Sequence, residues 1–288
     1  MRSARLFPWL LRAAWAALPF TAGPALEAAV HQHSFAVALV AAIALWATWG
    51  LVLVATLVPH PVGLTTFRLL APAVMAATVA AAFDHHPSAP AVGWAAAVAV
   101  LAFLPATGLL FVNGPAYPNE RRFPLRVPGP LLVGPLPLAW ALVVGGPVVG
   151  ALLLAAHNWV AGGILSVIGV ALAILLIRPL HGLSRRWLVM VPAGLVLHDP
   201  MTVADPVLFR RQVIETLHAA PAATDSLDLT QRATGLALEL ELTEKVPMIL
   251  LKPGDRLGES GSSARLIFTP TRPGAVLADA ATRRIPVR

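Results

Sequence analysis

The sequence contains no cysteine, one tyrosine and only two lysines, Lys245 and Lys252. Without cysteine the protein has no disulfide, no thiolate zinc ligand and no thiol nucleophile. Charged residues make up only 12% of the 288 residues, whereas 57% are hydrophobic and the mean hydropathy is +0.75. Only three acids, Glu27, Asp84 and Glu120, precede residue 184. A soluble core of this size could not bury so much apolar surface, so the composition predicts a membrane protein.

Long apolar runs predict six membrane-spanning helices before residue 184, at residues 10–28, 35–58, 64–83, 91–112, 131–156 and 160–177. The first run is interrupted by Arg12, Pro19 and Pro24. We interpret it as a short span distorted by proline, with Arg12 reaching to the inner surface. An interfacial helix and a cleaved signal peptide are the alternatives, and a signal peptide would leave five spans.

Arginines in two connections predict the orientation of the spans. Arg121, Arg122 and Arg126 follow the fourth predicted span, and Arg178, Arg185 and Arg186 follow the last. Two spans separate the clusters, so both lie on one side, which the positive-inside rule makes the cytoplasm. The sequence thus predicts a multi-pass plasma-membrane protein, with a transmembrane helical domain at residues 1–183 and a cytosolic domain at residues 184–288.

The cytosolic domain is predicted to be rich in β-strands. Residues 187–191 and 195–198 are apolar runs joined by a Pro-Ala-Gly turn, and residues 236–242 alternate as LALELEL. Residues 246–251 are predicted to pair with that strand across a turn at Glu244-Lys245, and residues 265–268 form a further strand. A helix is expected from Pro273 to about Arg284, because apolar residues there recur at helical spacing. Residues 206–218 fit either a helix or a strand.

Two stretches, RRWLVMVPAGLVLHDP and FTPTRPGAVLADAATRR, give residues 184–288 a resemblance to bacterial pleckstrin-homology-like (PH-like) domains. The resemblance implies a small β-rich barrel closed by a C-terminal helix. The whole chain also resembles a family of uncharacterised multi-span membrane proteins of high-GC Gram-positive bacteria, through FVNGPAYPNERRFPLR, GPLPLAW and LHGLSRRW. PH-like domains bind peptides or lipids and also serve as scaffolds, so the resemblance does not choose among these functions.

Histidines are the only residues here that would build a metal site. The candidate ligands His31, His33, His85, His86 and His157 fall on the predicted outer side, close to Asp84. No pair has the i, i+4 spacing of a helical metal site, so we predict no metal and no other cofactor. The sequence also lacks a G-x-S-x-G nucleophile elbow and a phosphate-binding P-loop, and no catalytic residue is predicted.

The six arginines Arg121, Arg122, Arg126, Arg178, Arg185 and Arg186 would form a basic rim facing lipid or a partner. Such a rim attracts anionic head groups by roughly 1 kcal/mol per charge, although the same arginines are also explained by topology alone. Acids nearly balance bases in residues 184–288, so nucleic acid is not an expected partner.

The expected function is non-enzymatic. The cytosolic domain would dock a partner protein or the lipid surface in a scaffold or regulatory role. The alternative is a small transporter or lipid-handling protein that uses the helix bundle. A transporter normally needs an ionisable group near the membrane midplane, and Arg12, Glu27 and Arg68 all fall near predicted span ends.

Overall fold

The computed structural model describes residues 2–84, 89–251 and 258–288, and the chain divides into two compact units. The first unit, Met1–Gly114 with Pro137–His181, is helical, and the second, Pro115–Leu136 with Gly182–Arg288, contains all the strands of the described residues. Each unit therefore consists of two separate stretches of chain.

Eleven helices precede the long β-rich segment of the described chain. They are α1 Arg2–Ala16, α2 Leu18–Thr21, α3 Gly23–Val30, α4 Phe35–Leu57, α5 Pro61–Asp84, α6 Ala89–Phe103, α7 Pro105–Asn113, α8 Gly129–Val133, α9 Pro135–Trp140, α10 Gly146–Ala155 and α11 Trp159–Leu183, with a π-helical turn at Ala141–Gly145. Four helical stretches are long and apolar enough to cross a membrane: Phe35–Leu57, Pro61–Phe83, Pro135–Ala155 and Trp159–Leu183. These stretches coincide with four of the six predicted spans.

The predicted span at residues 91–112 is a bent pair of helices. α6 and α7 meet at an angle of 57°, and together they would make a fifth crossing. The bend occurs at Pro105, which has no N–H to donate to the carbonyl of Leu101. The hydroxyl of Thr107 donates to that carbonyl instead, so the break leaves no unsatisfied acceptor there.

The first predicted span, residues 10–28, is divided among α1, α2 and α3. α1 has 15 residues, which gives it a length of about 22 Å, shorter than the roughly 30 Å of bilayer hydrocarbon. Pro19 and Pro24 lie in the first turns of α2 and α3, where a missing N–H costs little. The total of six spans therefore stays a prediction.

The second unit contains two four-stranded sheets and one C-terminal helix. Its strands are β1 Arg121–Pro124, β2 Trp187–Val191, β3 Gly194–His198, β4 Val207–Arg210, β5 Ile214–Ala219, β6 Leu227–Asp228, β7 Leu238–Leu250 and β8 Glu259–Phe268, and its helix is α12 Pro273–Thr282. The sheet orders are β1-β2-β3-β4 and β5-β7-β8-β6. All pairings are antiparallel except that of β6 with β8. The predicted β-rich composition, the 187–198 hairpin and the helix beginning at Pro273 are confirmed.

The first strand of the second unit comes from the connection between α7 and α8. Arg121 pairs with Met190 and Pro124 with Trp187, so β1 forms the edge of the first sheet. Residues 115–136 therefore join residues 182–288 in one unit, whereas the predicted division at residue 183 leaves them in the helical domain. β1 is only four residues long, which is too short for an alternating pattern to be recognised in the sequence.

The predicted hairpin turn at Glu244-Lys245 is wrong. β7 runs unbroken from Leu238 to Leu250 and pairs with β8 on both sides of a register shift between Glu241 and Val246. Charged residues in the middle of a strand are tolerated there because a β-bulge and an exposed face accommodate them. The ambiguous residues 206–218 form β4, a 3-10 turn and β5. Residues 252–257 lie outside the described residues, and β8 begins at Glu259, earlier than the strand predicted at residues 265–268.

The core of the second unit lies between the inner faces of the sheets and α12. Buried side chains come from both sheets, and Val276 and Ala280 of α12 are fully buried as well. The core residues from the sheets include Leu188, Met190, Leu195, Leu197, Phe209, Leu238, Leu240, Leu266 and Phe268. β4 buries alternate residues, Val207 and Phe209, as a strand with one covered face does, whereas Trp187–Met190 of β2 are all buried, so β2 is covered on both faces.

Candidate functional site

The six arginines of the predicted basic rim have different surroundings. Arg178 belongs to the first unit, and the other five belong to the second. Arg178 and Arg185 are exposed, and Arg126 is partly buried. The remaining three form ion pairs, Arg121 with Asp279, Arg122 with Glu120 and Arg186 with Asp199. Half of the predicted positive charge is thus balanced by carboxylates within the second unit.

Arg186 and Asp199 form a buried, bidentate ion pair. Nε and Nη2 of Arg186 donate to the two carboxylate oxygens of Asp199 at 2.7 and 2.8 Å, and the side chains are 1% and 0% exposed. Arg186 immediately precedes β2 and Asp199 immediately follows β3, so the hairpin register brings them together. Nη1 of Arg186 also donates to the backbone carbonyl of Arg126 at 2.8 Å. The pair therefore fastens the 115–136 segment to the hairpin.

A second ionic cluster centres on the buried carboxylate of Asp279 in α12. It accepts hydrogen bonds from Arg121 at 3.0 Å and from Arg283 at 2.9 Å. Arg283 also donates to the backbone carbonyl of Asn119 at 3.0 Å. The backbone N–H of Arg126 also donates to Thr269, and that of Thr271 donates to Pro124. These contacts together join residues 115–136 to the C-terminal residues.

Glu120, Arg122, Trp187 and His198 form a stacked row on the first sheet. Arg122 pairs with Glu120 at 2.7 Å, lies 5.4 Å above the ring of Trp187, and Trp187 stacks on His198 with 5.0 Å between centroids. Burial raises the pKa of Glu120, but hydrogen bonds from Arg122 and Tyr117 and the charge of Arg122 bring that pKa below its usual value. Burial lowers the pKa of His198; the charges of Arg185 and Arg122 lower it further, against the opposing effect of Asp199.

Glu239 occupies a buried position that its sequence pattern does not indicate. The alternation in LALELEL places Glu239 and Glu241 on the polar face of β7, yet Glu239 is buried and accepts hydrogen bonds from Ser226 and Thr224. Within the described residues its second oxygen, Oε2, has no hydrogen-bond partner. The segment before β6 covers Glu239, and this cover depends on tertiary structure, so the strand pattern alone does not reveal it.

The candidate metal ligands are not brought together. Across residues 2–84, 89–251 and 258–288, no group of three or more His, Cys, Asp or Glu side chains is arranged to hold a metal ion. His31 lies 3.5 Å from Glu27, and His157 packs edge-on against Trp159. His85 and His86 lie outside the described residues.

Asp199 is unsuitable as the partner of a catalytic histidine, because Arg186 engages both its oxygens.

The first unit contains a cavity of about 670 Å³ that sequence reasoning missed. Its walls come from α1–α5 and are mainly apolar, including Leu18, Ala22, Leu26, Ala42, Leu45 and Trp46. Glu27, His31 and His33 line the same cavity and supply its charged or titratable groups. The sequence feature that could have indicated this cavity is the interruption of residues 10–28 by Pro19 and Pro24. Several short helices pack less closely against the long helix α4 than one continuous helix would.

Comparison of the chain with protein-family models, with curated proteins and with solved structures finds no significant match to any of them.

Proposed function

We propose that the chain is a non-enzymatic integral protein of the plasma membrane whose second unit is a PH-like, cytosolic docking domain for a partner protein. In this proposal the protein acts as a scaffold or regulator. The PH-like interpretation is supported by two four-stranded sheets followed by a single C-terminal helix, because the resemblance implies a small β-rich domain that ends in a helix.

The observation that carries the proposal is the composition of the second unit from two stretches of chain. The chain passes between the units three times, at residues 114–115, 136–137 and 181–182. The β1–β2 pairing and the contacts of Arg186 and Asp279 hold the two stretches in one fold. A partner bound to this fold therefore acts on three points of the helical unit, which suits a regulatory connection better than a single flexible tether does.

The pairing of β1 with β2 also supports the predicted topology. Both strands lie in one sheet, so the segments before α8 and after α11 lie on the same side of any membrane that the intervening helices cross. The arginines of these segments favour the cytoplasmic side. The paired state of Arg121, Arg122 and Arg186 leaves less charge for anionic lipid, so we favour a protein partner over the lipid surface.

Exposed apolar residues of the second unit are the positions at which binding of a protein partner is to be tested. Tyr117, Leu208, Leu236 and Ile249 are exposed, and interface cores are enriched in such side chains. A photo-crosslinking amino acid placed at Leu208 or Leu236 in the full-length protein in cells should give a discrete protein adduct. The same residue at Ala47, on an exposed position of α4, serves as the control and should give lipid adducts only. Lipid adducts alone at all sites of the second unit would contradict the proposal.

A further inference from the structure

The 670 Å³ cavity of the first unit has the size and lining of a ligand site. Pockets that bind small molecules usually measure about 300–1,000 Å³, are mainly apolar and contain a few polar groups. Of the cavity-lining residues on α1 and α2, Trp15 is the one with a polar side-chain group, and its N–H already donates to the carbonyl of Trp49 at 2.8 Å. That wall therefore offers van der Waals contact to a hydrocarbon and little else.

The cavity follows a helix that is long and apolar enough to cross a membrane. Its lining on α4 extends from Phe35 to Trp49, a rise of about 21 Å, compared with about 15 Å for one leaflet of hydrocarbon. Leu39 and Trp46 both line the cavity and are 47% and 60% exposed. The cavity is therefore open sideways along α4, and an acyl chain can enter it directly from the bilayer.

One end of the cavity has a negative electrostatic character. Glu27 lies in the last turn of α3, where the carbonyl groups already carry partial negative charge. The residues that line the cavity include no lysine or arginine, and the nearest titratable partner of Glu27 is His31, at 3.5 Å. Both side chains are largely exposed, so they can reach a head group. This end favours an ammonium group and disfavours an anionic one.

We infer that this cavity binds a membrane lipid with an amine-bearing head group, of the phosphatidylethanolamine class. One acyl chain occupies the apolar wall between α1–α3 and α4, and the ammonium group donates hydrogen bonds to the carboxylate of Glu27. The inference is independent of the docking proposal, because it concerns only residues of the first unit.

The test uses the purified full-length protein. It is incubated with an equimolar mixture of phosphatidylethanolamine and phosphatidylglycerol of identical acyl chains, then repurified, and the retained lipids are quantified by mass spectrometry. A charge-assisted hydrogen bond corresponds to about a tenfold preference, so wild-type protein should retain phosphatidylethanolamine about tenfold over phosphatidylglycerol. Glu27→Gln should abolish that preference, and Ala42→Trp, which fills the cavity, should abolish retention.

Two matched variants serve as controls. Ala47→Trp adds the same bulk at an exposed position of α4 that does not line the cavity, and Glu215→Gln removes one exposed charge from the second unit. Both should bind as the wild type does. Glu27→Gln changes an exposed side chain, so its result does not depend on whether Ala42→Trp folds. Equal retention of both lipids by the wild type, or unchanged selectivity in Glu27→Gln, would overturn the inference.

Discussion

The guanidinium of Arg186 and the carboxylate of Asp199 face each other in two parallel hydrogen bonds, and neither side chain reaches solvent. This geometry is the strongest arrangement available to an arginine and a carboxylate. Removing both charges from water is nevertheless costly, so the intact pair adds little to the net free energy of unfolding. The third contact of Arg186, to the carbonyl of Arg126, links the pair to residues 115–136.

Replacement of Asp199 by alanine should strongly destabilise the second unit. The change leaves Arg186 buried without its counter-charge, at a cost of about 3–5 kcal/mol. The measurement is hydrogen exchange of β2 and β3 amides in the full-length protein in mild detergent. Arg186→Met with Asp199→Leu in one chain should recover much of the loss, because no unpaired charge remains. Equal protection of wild type and Asp199→Ala would show that the pair is not buried in solution.

Residues 184–288 expressed alone should not form the complete fold. This fragment lacks β1, the hydrogen-bond acceptor of Arg186 at Arg126, and Arg121, one of the two arginines that pair with Asp279. Fusion of residues 115–128 to the fragment through a flexible linker should restore cooperative thermal unfolding, followed by circular dichroism. A fusion of the same residues in scrambled order is the matched control. A sharp, identical transition for the bare fragment would contradict the two-segment fold.

The second unit should lose stability as the pH falls below about 6.5, partly through His198. The pKa of His198 is lowered in the folded state, so the unfolded chain takes up the proton first as the pH falls. The contribution of His198 to the free energy of unfolding is therefore present above the unfolded pKa and is lost as the pH falls through the folded pKa. His198→Gln should flatten the pH dependence of the unfolding temperature between about pH 7 and 5. His218→Gln is the control, and a slope unchanged by His198→Gln would contradict the assignment.

Single-cysteine labelling checks the topology, because the chain has no cysteine of its own. Tyr117→Cys and Ser262→Cys should both be protected from an impermeant reagent in intact cells and react after permeabilisation. Ser88→Cys, in the predicted outer connection, should react from outside. Opposite behaviour of Tyr117→Cys and Ser262→Cys would contradict the pairing of β1 with β2, whereas a joint reversal would contradict only the cytoplasmic assignment.

The sequence predicts those elements whose pattern is local. Residues 35–57 are apolar throughout, and residues 238–242 alternate, so the long helix and the strand are recognisable without tertiary information. β1 is different, because four residues between two proline-rich stretches become a strand only through a partner 63 residues later in the chain. The same limit applies to the site. Arg186 and Asp199 are visible as charged residues in the sequence, but their burial and their pairing follow from the hairpin register.

The origin of β1 between two groups of helices also imposes an order on biosynthesis. When residues 121–124 leave the ribosome, the strand with which they pair has not been made, because residues 187–191 follow only after α8–α11. At roughly 5–20 residues per second, the delay is roughly 3–13 s. During that interval the nascent segment exposes unpaired backbone groups while the following helices are being inserted. Completion of the second unit thus requires that α8–α11 return the chain to the place where β1 lies.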